Sequence, residues 1–338
     1  MRTLTSSHPP ITVEVLRGES VESRHLVDAV VVDADGVIVE TYGEAQTPIY
    51  ARSMIKPIQA IPFVLSGAPE NAPDVTKAIA ISCASHASEH LHIDFLAAWH
   101  AKLGIKAESA LACGPQKPDD DVVYFELIRA FKSPQRINNN CSGKHTGMIA
   151  TALARGLDPR GYENYAHEIQ KEIRRHLSVH SGVNHETAPW GIDGCGIPTY
   201  LLPQLNVAKM MSVLLTPEKH PSSDALKQIR EACAKEPYMI GGHEWPCSEI
   251  NAATGGRIFA KVGAEANYAA LIYDQGLALV VKARDGGFRA AEAALADLLD
   301  KHGRLQNSER EKIRAYIKPQ LKNWAGTQIG SVRALGIC

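Results

Sequence analysis

The stretch RIFAKVGAEANYAALIYDQGLALVVKA, residues 257–283, reads as three consecutive strands. Arg257 to Val262 forms the first, and Tyr268–Tyr273 and Leu277–Ala283 flank the turn Asp274-Gln-Gly276, a hairpin signature. The same signature stands near the N-terminus. Ile11 to Leu16 alternates as a half-buried strand, and His25–Asp33 and Val37–Thr41 flank Asp33-Ala-Asp-Gly36. Helical patterns fill the middle. Glu89 to Leu103 carries Leu91, Phe95, Leu96, Trp99 and Leu103 and stops at Gly104. Others run near 122–132, 143–155, 162–178, 205–215 and 222–235, with Arg289–Lys301 and Glu309–Ile317 after the last hairpin. Strands from both ends with helices between them predict one antiparallel sheet, built from N- and C-terminal strands and flanked by helices. That is an α/β chain of the α+β type. No repeat or Pro/Ser-rich linker divides it, so 1–338 reads as a single domain, with room for a helical subdomain within about 88–240.

Charge narrows the function. The 36 Lys+Arg and 37 Asp+Glu nearly cancel, which excludes a basic nucleic-acid binder and an acidic solvating tail. Hydrophobic residues at 45% suffice for a real core and exclude disorder as the main state. No stretch approaches the roughly 18–20 apolar residues that span a bilayer. The opening MRTLTSSHPPITVEV lacks the apolar core of a secretory signal, so the expected location is cytoplasmic. The cysteines at 83, 113, 141, 195, 233, 247 and 338 are too scattered for a disulfide framework and are expected as thiols or metal ligands.

Four motifs carry possible chemistry. In Arg52-Ser53-Met-Ile-Lys56-Pro57 a serine and a lysine sit three apart, on one face of a helix. A hydroxyl needs a neighbouring base to become a nucleophile, and a buried lysine can serve. Serine β-lactamases use this unit, and they also place a Lys-Thr/Ser-Gly strand near the C-terminus, where Lys261-Val-Gly263 stands here. The plain alternatives are an N-cap serine, a surface lysine and an edge-strand lysine before a turn glycine. Third comes Ser85-His86-Ala-Ser-Glu89-His90. His86-x-x-Glu89-His90 matches an inverted zincin pattern, but Ser85 and the residues after it also read as a helix start, which is the wrong place for a zincin pair. Last, Asn138-Asn-Asn-Cys141-Ser-Gly-Lys144-His145 and Asp193-Gly-Cys195-Gly-Ile-Pro198 crowd polar residues around two thiols. Two thiolates from separate segments suit zinc, although buried cysteines in tight turns are the plainer reading.

Taken together and in order, Arg52-Ser53-x-x-Lys56-Pro57-x-Gln59-Ala60, Cys83-Ala-Ser85-His86-x-x-Glu89, Asn139-Asn-Cys141-Ser-Gly-Lys144-His145, Asp193-Gly-Cys195-Gly-x-Pro198 and Lys261-x-Gly-Ala-Glu265 resemble the asparaginase II family, the Rhizobium etli-type or class 3 L-asparaginases. The resemblance spans about residues 11–285. It implies a fold like that of serine β-lactamases and penicillin-binding proteins, a homodimer, and hydrolysis of L-asparagine to L-aspartate and ammonia through an acyl-enzyme. It makes Ser53 the nucleophile and Lys56 its base, with Ser85 and Lys261 as a second Ser–Lys pair. It also makes Cys141, Lys144 and Cys195 a zinc site, reversing the plainer reading of the thiols and leaving His86 and His90 without a zincin role. The α-carboxylate of the substrate would be met by Arg52, Lys144 or His145 and its ammonium by Asp193 or Glu265, with His86 also in the pocket. One departure stands out, because Ala266 comes after Glu265 where a further glycine is expected. Two other classes compete. One is a β-lactamase, transpeptidase or esterase using Ser53-Lys56 and Lys261-x-Gly263, although Ser85-His86 replaces its Ser-x-Asn motif awkwardly. The other is a zinc-stabilised binding module without catalysis.

Overall fold

The computed structural model describes residues 6–337, so Cys338 lies outside the described residues. The chain divides into two compact units, Met1–Met54 with Leu202–Thr216 and Glu249–Cys338, and Ile55–Leu201 with Pro217–Ser248.

The first unit is built on nine strands, β1 (Ser6–His8), β2 (Ile11–Arg17), β3 (Ser20–Asp33), β4 (Ile38–Tyr42), β5 (Ile258–Gly263), β6 (Asn267–Ile272), β7 (Leu277–Ala283), β8 (Gln320–Lys322) and β9 (Gln328–Leu335). They run in the order β8-β9-β2-β3-β7-β6-β5, with β4 also on β3 and β1 parallel to β4; every other pairing is antiparallel. The expected joining of the two ends of the chain is therefore literal, since β3 pairs with β7 from Val27↔Ala283 to Asp33↔Leu277. Val27 and Ala29–Val32 form an apolar run, all at 0% exposure, as befits a strand covered on both faces. Asp28 interrupts the run but is paired in bidentate fashion with Arg284, both contacts at 2.8 Å. Helices Phe288–His302 and Gln204–Ser212 pack on the sheet. Gln204, 0% exposed, donates Nε2 to the carbonyls of Asp28 and Val280.

The tail beyond Gly303, which carries none of the quoted motifs, completes the sheet. After helix Asn307–Ile317, β9 pairs with β2 from Gly330↔Arg17 to Leu335↔Thr12. Gly330 lets the backbones meet, since a Cβ there would lie 1.8 Å from Leu16 O.

The second unit is mainly helical. Its longer elements include α1 (Val75–Ser82), α2 (His90–Leu103), α3 (Asp121–Arg129), α4 (Ser142–Ala154) and α5 (Glu168–Ser181). Asp74 and Asp120 cap α1 and α3, accepting from the N–H of Lys77 and Val123 at 2.8 Å. Gly104 ends α2 in the left-handed conformation, as its position predicted. Two expectations give way. The helix expected from residue 162 begins at Glu168, after a turn at Gly161. No helix starts at Ser85: residues 85–89 form an irregular strap, and α2 begins at His90.

Local geometry yields two predictions. In the β5–β6 turn, Glu265 (φ 62°) and Ala266 (φ 55°) are both left-handed, which explains why a glycine is expected at 266. A left-handed L-residue is disfavoured by roughly 1–2 kcal/mol, part of which glycine forfeits through its freer unfolded chain. Ala266→Gly should therefore stabilise the protein by about 0.5–1 kcal/mol in urea unfolding. In the second unit, His100 is 4% exposed and its Nε2 donates to Thr146 Oγ1 at 2.8 Å, because that hydroxyl gives its own proton to Ser142 O. Burial lowers its pKa to about 4. The unfolded chain, with histidine near 6.5, takes up the proton first, so this contribution to stability is present above about pH 6.5 and is lost as pH falls toward 4. Thermal melts should show that loss, and His100→Gln should lose less over the same interval.

Candidate active site

The expected site residues fall in both units, and each group has its own geometry. In the first unit, Arg52 and Ser53 open a 3-10 turn, Arg52–Ile55, that leads into the short helix Lys56–Gln59 with Pro57 in its first turn. Ser53 is half-buried and caps nothing; Met54, Ile55 and Ile58 anchor the turn in the core. Arg52 has φ 50°, a conformation that costs a non-glycine residue about 1–3 kcal/mol and persists only where packing enforces it. The enforcing partner is β5. A Cβ on Gly263 would lie 2.8 Å from Ala51 O and 3.0 Å from Met54 Cγ, so Lys261-Val-Gly263 abuts the turn that carries Ser53. Asn267 holds the same segment, its Nδ2 donating to Tyr50 O at 3.4 Å and Ala264 O at 2.6 Å. Lys261 is 0% exposed and donates to Val262 O at 3.0 Å, whereas Glu265 is exposed in the turn beyond.

In the second unit the other group converges on one buried amine. Lys56, 1% exposed, donates Nζ to the carbonyl of Ala84, to Ser85 Oγ at 3.0 Å and to Cys141 Sγ at 3.1 Å. Three polar partners around one nitrogen offset the cost of burying it. Ser85 is held there by the strap. Ser85 and Ala87 donate their N–H groups to Ile240 O and Gly241 O, and His86 donates its own to Asn140 O. Glu89 closes the strap on His243, accepting from its N–H at 2.5 Å and facing its Nδ1 at 2.7 Å.

Cys141 N-terminally flanks α4, which places Lys144 one turn on, and Cys195 arrives on the turn Asp193–Ile197. The two thiols are hydrogen-bonded to one another, and Lys144 Nζ donates to Cys195 Sγ at 3.1 Å. The Cys141 hydrogen bond holds the Cys195 thiol well below its ordinary range, helped by the Lys144 charge. The same bond, with burial, pushes Cys141 up to about 12, so the thiolate of the pair sits on Cys195. Burial opposes the Lys144 charge, but Cys141, Cys195 and half-buried Asp193 outweigh it and raise its pKa. Among the described residues, no three His, Cys, Asp or Glu side chains are arranged as metal ligands. The cluster of two thiols and one amine is of a different make-up. Two soft sulfurs with one thiolate formed suit zinc, and Lys144 Nζ would complete a three-donor set only after giving up the proton it now donates to Cys195.

The histidines occupy other niches. His86, 1% exposed, stacks on His92 (4.9 Å, 21°) and its Nε2 lies 2.9 Å from Ser142 Oγ, while exposed His90 pairs with Glu126 at 2.9 Å. One ring is packed inside and the other faces solvent, which removes the zincin alternative. His145 is 0% exposed with Nδ1 2.6 Å from Tyr162 OH, and burial, with Lys144 adding to it, lowers its pKa to about 3. Tyr162 OH also accepts from Ala112 N–H, so it gives its proton to Nδ1 and leaves the hydrogen of His145 on Nε2. The sequence reading missed this tyrosine because it sat in an expected helix.

The L-asparaginase II family model matches residues 13–334. The chain belongs to the L-asparaginase II family. It is accordingly a hydrolase. All five motifs lie inside the matched range. Among solved structures this family member is similar to a β-lactamase from Mycobacterium bovis (15% identity, 82% of this chain and 95% of that one, TM-score 0.44). It is also similar to an octameric penicillin-binding protein homologue from Pyrococcus abyssi (15%, 92% and 84%, 0.41) and a Bacillus glutaminase (11%, 81% and 90%, 0.35). No curated protein matches it.

What sets Cys141 and Lys144 against the strap is a close approach of α4 to α1. A Cβ on Gly143 would lie 2.4 Å from Ile81 O, and one on Gly147 would lie 2.6 Å from Ser82 Oγ. Because a backbone carbonyl cannot swing aside, Gly143→Ala should force the helices apart and cost about 2–3 kcal/mol in urea unfolding. Gly182→Ala, with open space around its Cβ but φ 71°, should cost only about 1 kcal/mol.

Proposed function

We propose that this family member is an L-asparagine amidohydrolase with Ser53 as nucleophile. The observation that carries the reading is the pair of fully buried lysines standing in the two expected motifs, Lys56 with its Nζ on Ser85 and Lys261 on the strand that abuts the Ser53 turn. Burying a lysine is costly, and such residues are characteristic of proton-transfer sites.

In this mechanism Ser53 attacks the side-chain amide carbon, and Lys56, neutral at that moment, accepts its proton. The proton passes by way of Ser85, the hydroxyl bonded to Lys56, to the departing ammonia, with Lys261 as the second lysine of the reaction. Water then hydrolyses the acyl-enzyme by the reverse sequence. Arg52, His86, His145, Asp193 and Glu265 are the proposed contacts of the α-carboxylate and α-ammonium. His145 with its hydrogen on Nε2 suits the carboxylate, and half-buried Asp193 suits the ammonium better than exposed Glu265. Cys141, Lys144 and Cys195 would hold zinc, which when bound supplies a fixed positive charge and Lewis acidity beside the substrate. The same reading makes the protein a homodimer in the cytoplasm. None of the described cysteines is in a disulfide, and no helix is long and apolar enough to cross a membrane.

Ammonia release from L-asparagine tests the core of this. Wild-type turnover should fall by about three orders of magnitude or more in Ser53→Ala and Lys56→Ala, and by about 10²–10⁴-fold in Ser85→Ala. A wild type inert toward asparagine and glutamine but turning over a chromogenic β-lactam would replace the asparaginase reading with the β-lactamase one. The metal is tested separately. Elemental analysis should find zinc in the wild type and lose it in Cys195→Ser, and equal zinc in both would remove Cys195 from the site.

A further inference from the structure

Helix α3 is inside out. Of its residues only Val123 is buried, while Val122 (61% exposed), Phe125 (52%) and Ile128 (48%) share one outward face, continued by Phe131 (99%) just past its end. A surface helix ordinarily turns that face to the core. Two phenylalanines and two aliphatic side chains at these exposures amount to an apolar patch on the order of 400 Å², as large as the biggest patch of a typical monomer.

The charges around the patch are ordered along the helix. Asp119 and Asp121 are exposed at its N-terminal end, and Arg129 and Lys132 at its C-terminal end. Glu126 is occupied by His90, and Lys117 lies over the Tyr124 ring at 4.5 Å, so neither breaks the pattern. Laid antiparallel on its own copy about a two-fold axis at Phe125, the helix is self-complementary. Phe125 then meets Phe125, Val122 meets Ile128, Asp121 meets Arg129, and the Asp119 end lies beside Lys132. A parallel arrangement would instead set like charges together. The patch is about half of the roughly 800 Å² that each side of a stable interface buries, leaving the remainder to a polar rim.

We propose that α3 is the surface through which two copies of this chain associate, antiparallel across a two-fold axis at Phe125. The proposal rests on the homodimer reading and adds to it the residues that meet. A two-fold interface is isologous, so each contact occurs twice and a single substitution acts twice.

Sedimentation velocity over a wide concentration range tests it, with circular dichroism to confirm folding. The wild type should be a dimer. Phe125→Glu and Ile128→Lys, both at exposed positions, should each raise the dimer dissociation constant about tenfold or more. Asp121→Arg alone should weaken the dimer, and Asp121→Arg with Arg129→Asp should restore it. A dimer untouched by Phe125→Glu would overturn the surface while leaving the homodimer standing. Failure of the double exchange to restore association would overturn the antiparallel register. A wild type that stays monomeric throughout would overturn both proposals and give the face to a different partner.

Discussion

The buried amine of Lys56 is the constraint on which the helical unit turns. An unpartnered amine in that position would be costly, so the chain has to deliver three polar partners to it: a carbonyl at Ala84, a hydroxyl at Ser85 and a sulfur at Cys141. Each comes from a different local device. The carbonyl and hydroxyl come from the start of the strap, where the backbone leaves helix α1 and hydrogen-bonds to residues 240–241 instead of continuing to coil. The sulfur comes from the N-terminal flank of α4, which reaches the strap only because Gly143 and Gly147 let it lie against α1.

The first unit solves a different problem. Its sheet is made of strands far apart in sequence, and its central strand is apolar on both faces, so helices must cover it. The same sheet delivers β5 against the Ala51–Met54 segment. The glycine of Lys261-Val-Gly263 is thus a spacing device: it brings strand and turn within van der Waals distance, and Arg52 takes up the resulting backbone strain. The residue before the proposed nucleophile is therefore conformationally fixed before any substrate arrives.

Much of this was legible in the sequence, for identifiable reasons. Hairpins such as Tyr268–Ala283 announce themselves through alternation and a Gly-containing turn, and α2 through a 3.6-residue period closed by glycine. Strands β8 and β9 were not legible, because one is three residues long and the other gains its identity from β2, more than 300 positions away. The helix start expected at Ser85 failed for a related reason. Its capping signals are real, but the backbone N–H groups find partners at 240–241 and 140 that no local pattern displays. For the site, motif order named residues, whereas contacts such as Tyr162 on His145, or Lys56 on Cys141, exist only in three dimensions.

The pairing of β3 with β7 and of β2 with β9 sets the order in which a newly made chain can fold. At about 5–20 residues per second, β7 emerges from the ribosome roughly 10–50 s after β3. Through that delay the Val27–Val32 run has no strand partner on its β7 side, and the helical unit itself waits for Pro217–Ser248 to hold its strap. The nascent protein thus carries an apolar strand, paired with β2 and β4 but open along its β7 edge, a natural substrate for chaperones that bind extended apolar segments.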